Sequence, residues 1–481
     1  MDDDAVFFPP DSDLDISFTS CASAATDRTF SSSARSSLAR SSLTLSFNES
    51  RLSAAACAAK AAEPCLHRRK SDANWSAIKA ATTLSSDGAL HLRHLKLLRH
   101  LGTGNLGRVF LCRLRDYDSA SFALKVVDRE SLSAKKLSQV ETEARILSNL
   151  DHPFLPTLYA HLQVSHYTCL LIDFCPNGDL HSLLRKQPRN RLPVPAVRFF
   201  AAEVLVALEY LHALGIVYRD LKPENVLIRE DGHIMLSDFD LCFTADVSAR
   251  LQNRVVASAK TRRRCCFGYR RQPEQEEIVS EFVAEPTTAF SRSCVGTHEY
   301  LAPELVSGNG HGNGVDWWAF GVFIYELLHG ATPFKGGSKE ATLRNIASTK
   351  GVRFPAPEGE ADERGTAEAK DLIERLLVKD PRRRLGCAGG ATDIKRHPFF
   401  DGIKWPLIRT YKPPEVRGLV VRRTKSHVSH VTGASLIPKR RRWWWKGLSY
   451  ITRKNKVSKR NLNSNQNYHS YSNGSKVRKS T

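Results

Sequence analysis

A set of short motifs in fixed order between residues 102 and 304 constrains this chain more than its composition does. Gly102-Thr103-Gly104-Asn105-Leu106-Gly107-Arg108-Val109 sets three glycines at GxGxxG spacing. Glycines let backbone amides approach phosphate without a Cβ in the way. The spacing alone is weak, because dinucleotide folds and plain turns share it. Here a strand follows instead of a crossover helix. Val109-Phe110-Leu111 and Phe122-Ala123-Leu124-Lys125-Val126-Val127 are short β-type runs, and the second carries Lys125. Leu137, Val140, Ala144 and Leu147 then recur at helical spacing. On that helix Glu143 is the natural ion-pair partner of Lys125. Glu141 competes, but Glu143 precedes Ile146-Leu147 more suitably. Downstream lie Tyr218-Arg219-Asp220-Leu221-Lys222-Pro223-Glu224-Asn225, then Asp238-Phe239-Asp240, then Ala302-Pro303-Glu304.

Strands come first and helices follow. Pro195 opens a long helical pattern through Phe199, Val204, Leu205, Leu208 and Leu211, and Gly215 supplies the stop. Helical patterning resumes from Trp317 to Leu328 and from Ala369 to Leu377, ending near Phe400. The expectation is an α+β fold with a small β-rich lobe and a larger helical lobe over residues 95–400. Residues 1–94 are rich in Ser, Ala and Thr, with Ala34-Arg35-Ser36-Ser37-Leu38 repeated as Ala39-Arg40-Ser41-Ser42-Leu43. They read as a disordered arm that cannot bury enough apolar surface to offset its own ordering. Of the formal net charge of +21, the segment Lys412–Thr481 carries 18 Lys and Arg against one acid, Glu415. The rest is nearly neutral, which excludes a uniformly basic nucleic-acid binder. Eleven cysteines show no CxxC or Cys/His ligand spacing, so neither a zinc site nor a disulfide framework is indicated. Met1-Asp2-Asp3-Asp4 is not a secretion signal, and no apolar run reaches membrane-spanning length. Asp2 is not a myristoylation glycine, and no CaaX box closes the chain. The expected setting is intracellular, with peripheral contact at most.

The order of glycine loop, Lys, Glu, RDxxxxN, DF and APE resembles the eukaryotic protein kinases over residues 95–400. The resemblance implies a bilobal kinase fold with ATP between the lobes and Mg²⁺ as its metal. It makes Asp220 the acceptor of the substrate hydroxyl proton and Lys222 the stabiliser of the transferring phosphoryl group. Asn225 and Asp238 would hold Mg²⁺, and Lys125 with Glu143 would steady the ATP phosphates. Residues 101–109 would cover the nucleotide, with Leu101 and Val109 sandwiching the adenine. Ile172 would stand as gatekeeper, and Asp173 to Cys175 would offer hinge backbone groups. Asp179, placed in the ATP-cleft set, also falls with Glu224 and Glu326 where related kinases present carboxylates to basic residues of a peptide.

Lys222 after Asp220 is the Ser/Thr pattern. Tyr218, Gly296-Thr297-His298-Glu299-Tyr300-Leu301, Val315-Asp316-Trp317-Trp318 and His397-Pro398-Phe399-Phe400 resemble the AGC group. There the residue three before Gly296, Ser293, is the implied activating phosphosite, with Arg219 as partner of its phosphate. Asp240 stands where most kinases have glycine, which puts easy backbone flipping in doubt. The stretch Leu241 to Leu301 contains an insertion over 241–290 with Lys260-Thr261-Arg262-Arg263-Arg264. These departures resemble the plant PINOID/WAG branch. That likeness implies auxin efflux carriers as protein substrates, a role in polar auxin transport, and an upstream activating kinase. In the extension over 401–481, Lys439-Arg440-Arg441-Arg442 runs into Trp443-Trp444-Trp445-Lys446. Indoles beside cations favour an anionic membrane surface, whereas a bare basic run reads equally as a nuclear signal or a solvated tail. The expected locations are cytoplasm, the plasma-membrane periphery and, through that signal, the nucleus. No specific nucleic acid is expected. The rival is a membrane- or nucleic-acid-associated scaffold using a kinase fold without turnover, and it would need a catalytic residue lost.

Overall fold

The computed structural model describes residues 72–83, 85–115, 117–257, 276–355 and 363–421. Helix α1 (Ala73–Thr83) is followed by strands β1 (Leu95–Thr103), β2 (Arg108–Leu114) and β3 (Tyr117–Asp128), helix α2 (Ala134–Leu147), and strands β4 (Leu158–Val164) and β5 (Tyr167–Asp173). The five strands form an antiparallel sheet in the order β1-β2-β3-β5-β4. Their burial follows their residues. β2 alternates, with Phe110, Cys112 and Leu114 buried, as a strand with one face on a core should. β3 is central and covered on both faces, so Phe122 to Val127 are all buried, Lys125 included. Ser133 caps α2, its hydroxyl accepting Lys136 N–H at 3.4 Å, and the helix buries Val140, Glu143, Ala144, Ile146 and Leu147.

Helix α1 lies inside the stretch expected to be disordered and corrects that boundary. Trp75, Ala77 and Ile78 are buried in one cluster with Phe122, Leu124 and Tyr159. Few apolar side chains suffice because one is Trp, whose area dominates what a short helix can bury.

The helical lobe comprises α3 (Leu180–Arg185), α4 (Val194–Ala213), α5 (Gly314–His329), α6 (Lys339–Ala347), α7 (Glu363–Leu376) and α8 (Gly390–Lys395). α4 is apolar nearly all round and buries Phe200, Val204, Leu205, Leu208 and Leu211. Gly215 ends it at φ +75°, where a Cβ would stand 2.1 Å from the Ala245 carbonyl oxygen. α5 buries Trp317, Trp318, Phe320 and Phe323 and closes on Gly330, whose N–H reaches Glu326 O at 2.7 Å. Two short antiparallel pairings follow α4, Val226–Ile228 with Ile234–Leu236 and Ile216–Val217 with Phe243–Thr244.

Within the insertion, Ser248–Ala257 pairs antiparallel with Glu276–Glu285 as a two-stranded ribbon, Leu251 opposite Phe282. Leu251, Ile278 and Phe282 are exposed, whereas Val283 and Glu285 are buried. Glu281 and Arg396 form an ion pair that ties the ribbon to the helical lobe. The basic stretch of the insertion, Lys260 to Arg271, and the tail segment Lys439 to Lys446 lie outside the described residues. From Asp401 to Val421 the chain stays on the helical lobe. Ile408 is buried, Gln187 Nε2 donates to Arg417 O at 2.6 Å, and Asn177 Nδ2 donates to Val420 O at 2.9 Å. No helix among the described residues is long and apolar enough to cross a membrane.

Candidate active site

The glycine loop joins β1 to β2, and its three glycines serve different ends. Nothing lies within 4 Å of where a Cβ of Gly102 would stand, and Gly104 has only Gly107 O at 3.9 Å. No side chain crowds the cleft at these two positions, and Gly104 N–H donates to Gly107 O at 2.9 Å, which folds the loop on itself. Gly107 is different: its Cβ would stand 2.3 Å from Val126 O, so glycine there lets the loop lie against β3. Leu101, Arg108 and Val109 are half-buried, and Thr103 is exposed. Asn105 Oδ1 accepts Lys136 Nζ from α2 at 3.0 Å, which pins the loop tip. Leu106 departs from the expected cleft-facing role, being buried against Val127 and Val140.

Below the loop, Lys125 Nζ donates to both carboxylate oxygens of Glu143 at 2.7 Å and to Asp238 Oδ1 at 3.0 Å. Glu143, not Glu141, is therefore the partner. Burial works against the ammonium, but Asp238, Glu143 and Asp240 outweigh it and hold the Lys125 pKa above its ordinary value. Burial likewise opposes the Asp238 carboxylate, yet Lys125 and Lys222 keep its pKa below the usual range. Lys125 stays cationic and Asp238 anionic across the cleft.

At the hinge, Ile172 is half-buried and Cys175 buried, its thiol against Met235 Sδ at 3.7 Å. The Asp173 side chain turns into the small lobe. Its Oδ2 accepts Thr157 N–H at 2.9 Å and its Oδ1 accepts the Tyr159 hydroxyl at 2.8 Å. Only its backbone is left for a nucleotide.

On the floor, Asp220 Oδ2 accepts Lys222 Nζ and Asn225 Nδ2, both at 2.8 Å, while Oδ1 accepts the Thr297 hydroxyl at 3.2 Å. Burial raises the Asp220 pKa, opposed by Lys222 and Asn225. Arg219 and Asp238 sit at φ 66° and 60°, left-handed conformations that non-glycine residues adopt where the surroundings enforce them. Asp240 is not among the positive-φ residues, so aspartate replaces glycine there without backbone strain. Burial, then Asp238, pushes its carboxyl up to about 8. Asp238 and Asn225 offer hard oxygen donors, and among the described residues no group of three or more His, Cys, Asp or Glu assembles as an all-protein metal site. Mg²⁺ is commonly held this way, by one or two carboxylates plus phosphate oxygens. The donor set fits.

Arg219 reaches toward the activation segment. Its Nη1 donates to Ser293 Oγ at 2.8 Å and to Ser291 Oγ at 3.3 Å, its Nε donates to Leu241 O at 2.6 Å, and its guanidinium lies 4.7 Å over the Phe243 ring. His311 faces the same guanidinium; burial and then Arg219 push it down to about 4, so it adds no charge. A phosphate on Ser293 would meet a preplaced cation.

Of the three carboxylates expected to face a basic peptide, the structure brings two together. Glu326 accepts the Tyr300 hydroxyl, and burial, with Glu224 and Glu299 nearby, raises it to about 7. Asp179 instead caps α3, accepting Ser182 N–H at 2.7 Å and its hydroxyl at 2.8 Å. Sequence reasoning assigned no role to Thr297, which bridges Lys222 at 2.9 Å to Asp220, or to Arg384, which takes both Glu304 oxygens at 2.7 and 2.9 Å. Thr297 had a signal in its place after Gly296; Arg384, far along the chain, had none.

A glycine-rich roof, a Lys–Glu pair fixed beneath it and a floor carboxylate, Asp220, held by Lys222, Asn225 and Thr297 define a nucleotide-dependent phosphotransferase. A family model described as protein kinase domain matches residues 95–260 and 267–400. Serine/threonine-protein kinases WAG1 and WAG2 of Arabidopsis thaliana are 67% and 66% identical, covering 98% and 97% of this chain and 99% and 97% of their own. Protein kinase PINOID of Oryza sativa subsp. japonica is 48% identical over 80% of this chain and 84% of its own. The chain belongs to the protein kinase family, as a serine/threonine kinase of the plant AGC group in the PINOID/WAG branch. ATP and a divalent metal are the cosubstrate and cofactor of that family, and no catalytic residue is missing to favour a scaffold.

Proposed function

We propose that Asp220 accepts the hydroxyl proton of a protein Ser or Thr as the new O–P bond forms and the bond from the γ-phosphorus to ADP breaks. The observation that carries this is the fixed Asp220 carboxylate: two donors hold Oδ2, and only a neutral hydroxyl occupies Oδ1. Its raised pKa suits a proton acceptor. Lys222 stabilises charge on the transferring group, and Lys125, steadied by Glu143, orients the phosphates. Asp238 and Asn225 would hold Mg²⁺, which when bound neutralises phosphate charge. Glu224 and Glu326 draw Arg and Lys flanking the acceptor. Phosphate on Ser293, placed there by an upstream kinase, pairs with Arg219 and orders the activation segment.

Auxin efflux carriers are the proposed substrates on the branch likeness, and the basic Trp-rich tail with the basic insertion is the proposed contact to an anionic membrane. The test is transfer of labelled γ-phosphate from ATP to a purified cytosolic loop of such a carrier. Mapped Ser or Thr sites beside basic residues, lost on chelation of Mg²⁺, are expected. Efficient labelling of a generic basic peptide but none of the carrier loop would reject the substrate and keep the chemistry.

A further inference from the structure

Where the ribbon of the insertion re-enters the kinase body, the carboxylate of Glu285 is buried, 3% exposed. Its Oε2 accepts His212 Nδ1 and Asn313 Nδ2, both at 2.8 Å, and its Oε1 faces Ala391 N–H at 3.4 Å. Gly390, at φ +62°, makes the room: a Cβ there would stand 2.1 Å from Glu285 Oε1. On its far side His212 Nε2 donates to Asp316 Oδ2 at 2.8 Å, both side chains fully buried. Asp316 in turn accepts Tyr218 N–H on Oδ2 at 2.8 Å and Arg219 N–H on Oδ1 at 2.7 Å. These are the two amides just before Asp220, and Arg219 is the residue held at φ 66°.

Both ring nitrogens of His212 face carboxylates, so both must donate and the ring is an imidazolium. Burial opposes that charge, but Glu285 and Asp316 outweigh it and push the pKa up to about 10. The Trp317 ring packs edge-on against the imidazole at 4.7 Å and fixes its plane. Without Glu285, His212 loses one of the two anions that stabilise its charge, and its grip on Asp316 weakens.

We infer that Glu285 is a positioning residue for phosphoryl transfer: through His212 and Asp316 it fixes the Tyr218–Arg219 backbone that aims Asp220. The root of the activation-segment insertion is thereby part of the support of the catalytic loop. Anything that pulls on the ribbon reaches the base through one buried ion chain. This rests on the reading of Asp220 as the base.

Glu285→Gln keeps the volume and removes the charge. Full-length protein carrying it is expected to show kcat lowered about tenfold with KM for ATP changed less than about twofold. Glu281→Gln frees the same ribbon from Arg396 without touching the chain to Asp316, and is expected to keep wild-type kcat. Nitrogen NMR of ¹⁵N-histidine-labelled wild type at neutral pH should show His212 protonated on both ring nitrogens, with that signature lost in Glu285→Gln. Should Glu285→Gln not fold, Glu285→Asp, which withdraws the charge by one methylene, is expected to lower kcat in the same way. Wild-type kcat in the variant that folds, an equal loss in Glu281→Gln, or a singly protonated His212 in the wild type would overturn the inference. A wild type that transfers no phosphate would instead overturn the reading of Asp220.

Discussion

Trp75→Ala tests the helix of the small lobe that the sequence pattern did not reveal. Trp75 is 9% exposed and lies against Tyr159, ring centroids 5.2 Å apart. Removing a buried Trp costs about 3–5 kcal/mol, and a helix on one side of a sheet can relax into the gap, which sets the value near about 3 kcal/mol. With an unfolding entropy of about 2.1 cal/mol/K per residue, an ordered body of this size shifts by about 1.5 °C per kcal/mol, so the melting midpoint should fall by roughly 4–5 °C. The loss should also reach the cleft. The Tyr159 hydroxyl holds Asp173 Oδ1 at 2.8 Å, so a displaced Tyr159 loosens the hinge. Calorimetric melting of the full chain reads the first effect, and KM for ATP against kcat reads the second. KM should rise about threefold while kcat moves little, because Asp220 stands in the other lobe. A midpoint within about 1 °C of wild type would refute the docking of α1. A large midpoint shift with unchanged KM would refute only the link to the hinge.

Ser293→Ala should lower kcat about tenfold or more by leaving Arg219 without an anionic partner. Unchanged turnover, with wild type shown by mass spectrometry to be phosphorylated at Ser293, would refute this. His212 has its folded pKa near 10, against an ordinary 6.5. Its contribution to stability is therefore fully present below pH 6.5 and lost as pH rises through the folded pKa. Denaturant midpoints should fall between pH 7 and 10 in wild type and fall less in His212→Asn; parallel curves would refute the charged imidazole. Replacing Trp443, Trp444 and Trp445 by Ala, together with neutralising Arg262, Arg263 and Arg264, should release the protein from anionic vesicles. High salt should mimic the loss of charge. Salt-insensitive pelleting of that combined variant would point to lipidation or a protein receptor instead.

The fold was legible where periodicity and local chemistry agree. β3 could be read from its apolar run, α4 from its period and from Gly215, and the cleft from motifs whose order is nearly unique to kinases. Lys125 meets Glu143 as their spacing implied, and Asp220, Asn225, Asp238 and the pair Arg219–Ser293 stand together as the family resemblance implied. Most of the misses depend on a contact distant in sequence; Asp179 is the exception, decided three residues on. α1 hides in low-complexity surroundings and is held by Trp75 on a sheet whose strands come later. Asp179 resembles a substrate carboxylate until the start of α3 claims it as a cap, a role decided by Ser182 N–H. Leu106 follows two loop glycines, yet its apolar side chain goes under α2. The buried link from Glu285 through His212 to Asp316 spans segments 73 and 104 residues apart, and no local pattern signals it.

The most direct test of the catalytic assignment is the rate of γ-phosphate transfer by Asp220→Asn beside wild type, under saturating ATP and Mg²⁺ with a basic protein substrate. Asparagine keeps the volume and can still meet Lys222 and Thr297, but it cannot take the hydroxyl proton and carries no charge. Melting should stay near wild type while kcat falls about a hundredfold or more. A folded Asp220→Asn protein that phosphorylates the substrate at the wild-type rate would contradict the assignment of the base and of the chemistry built around it.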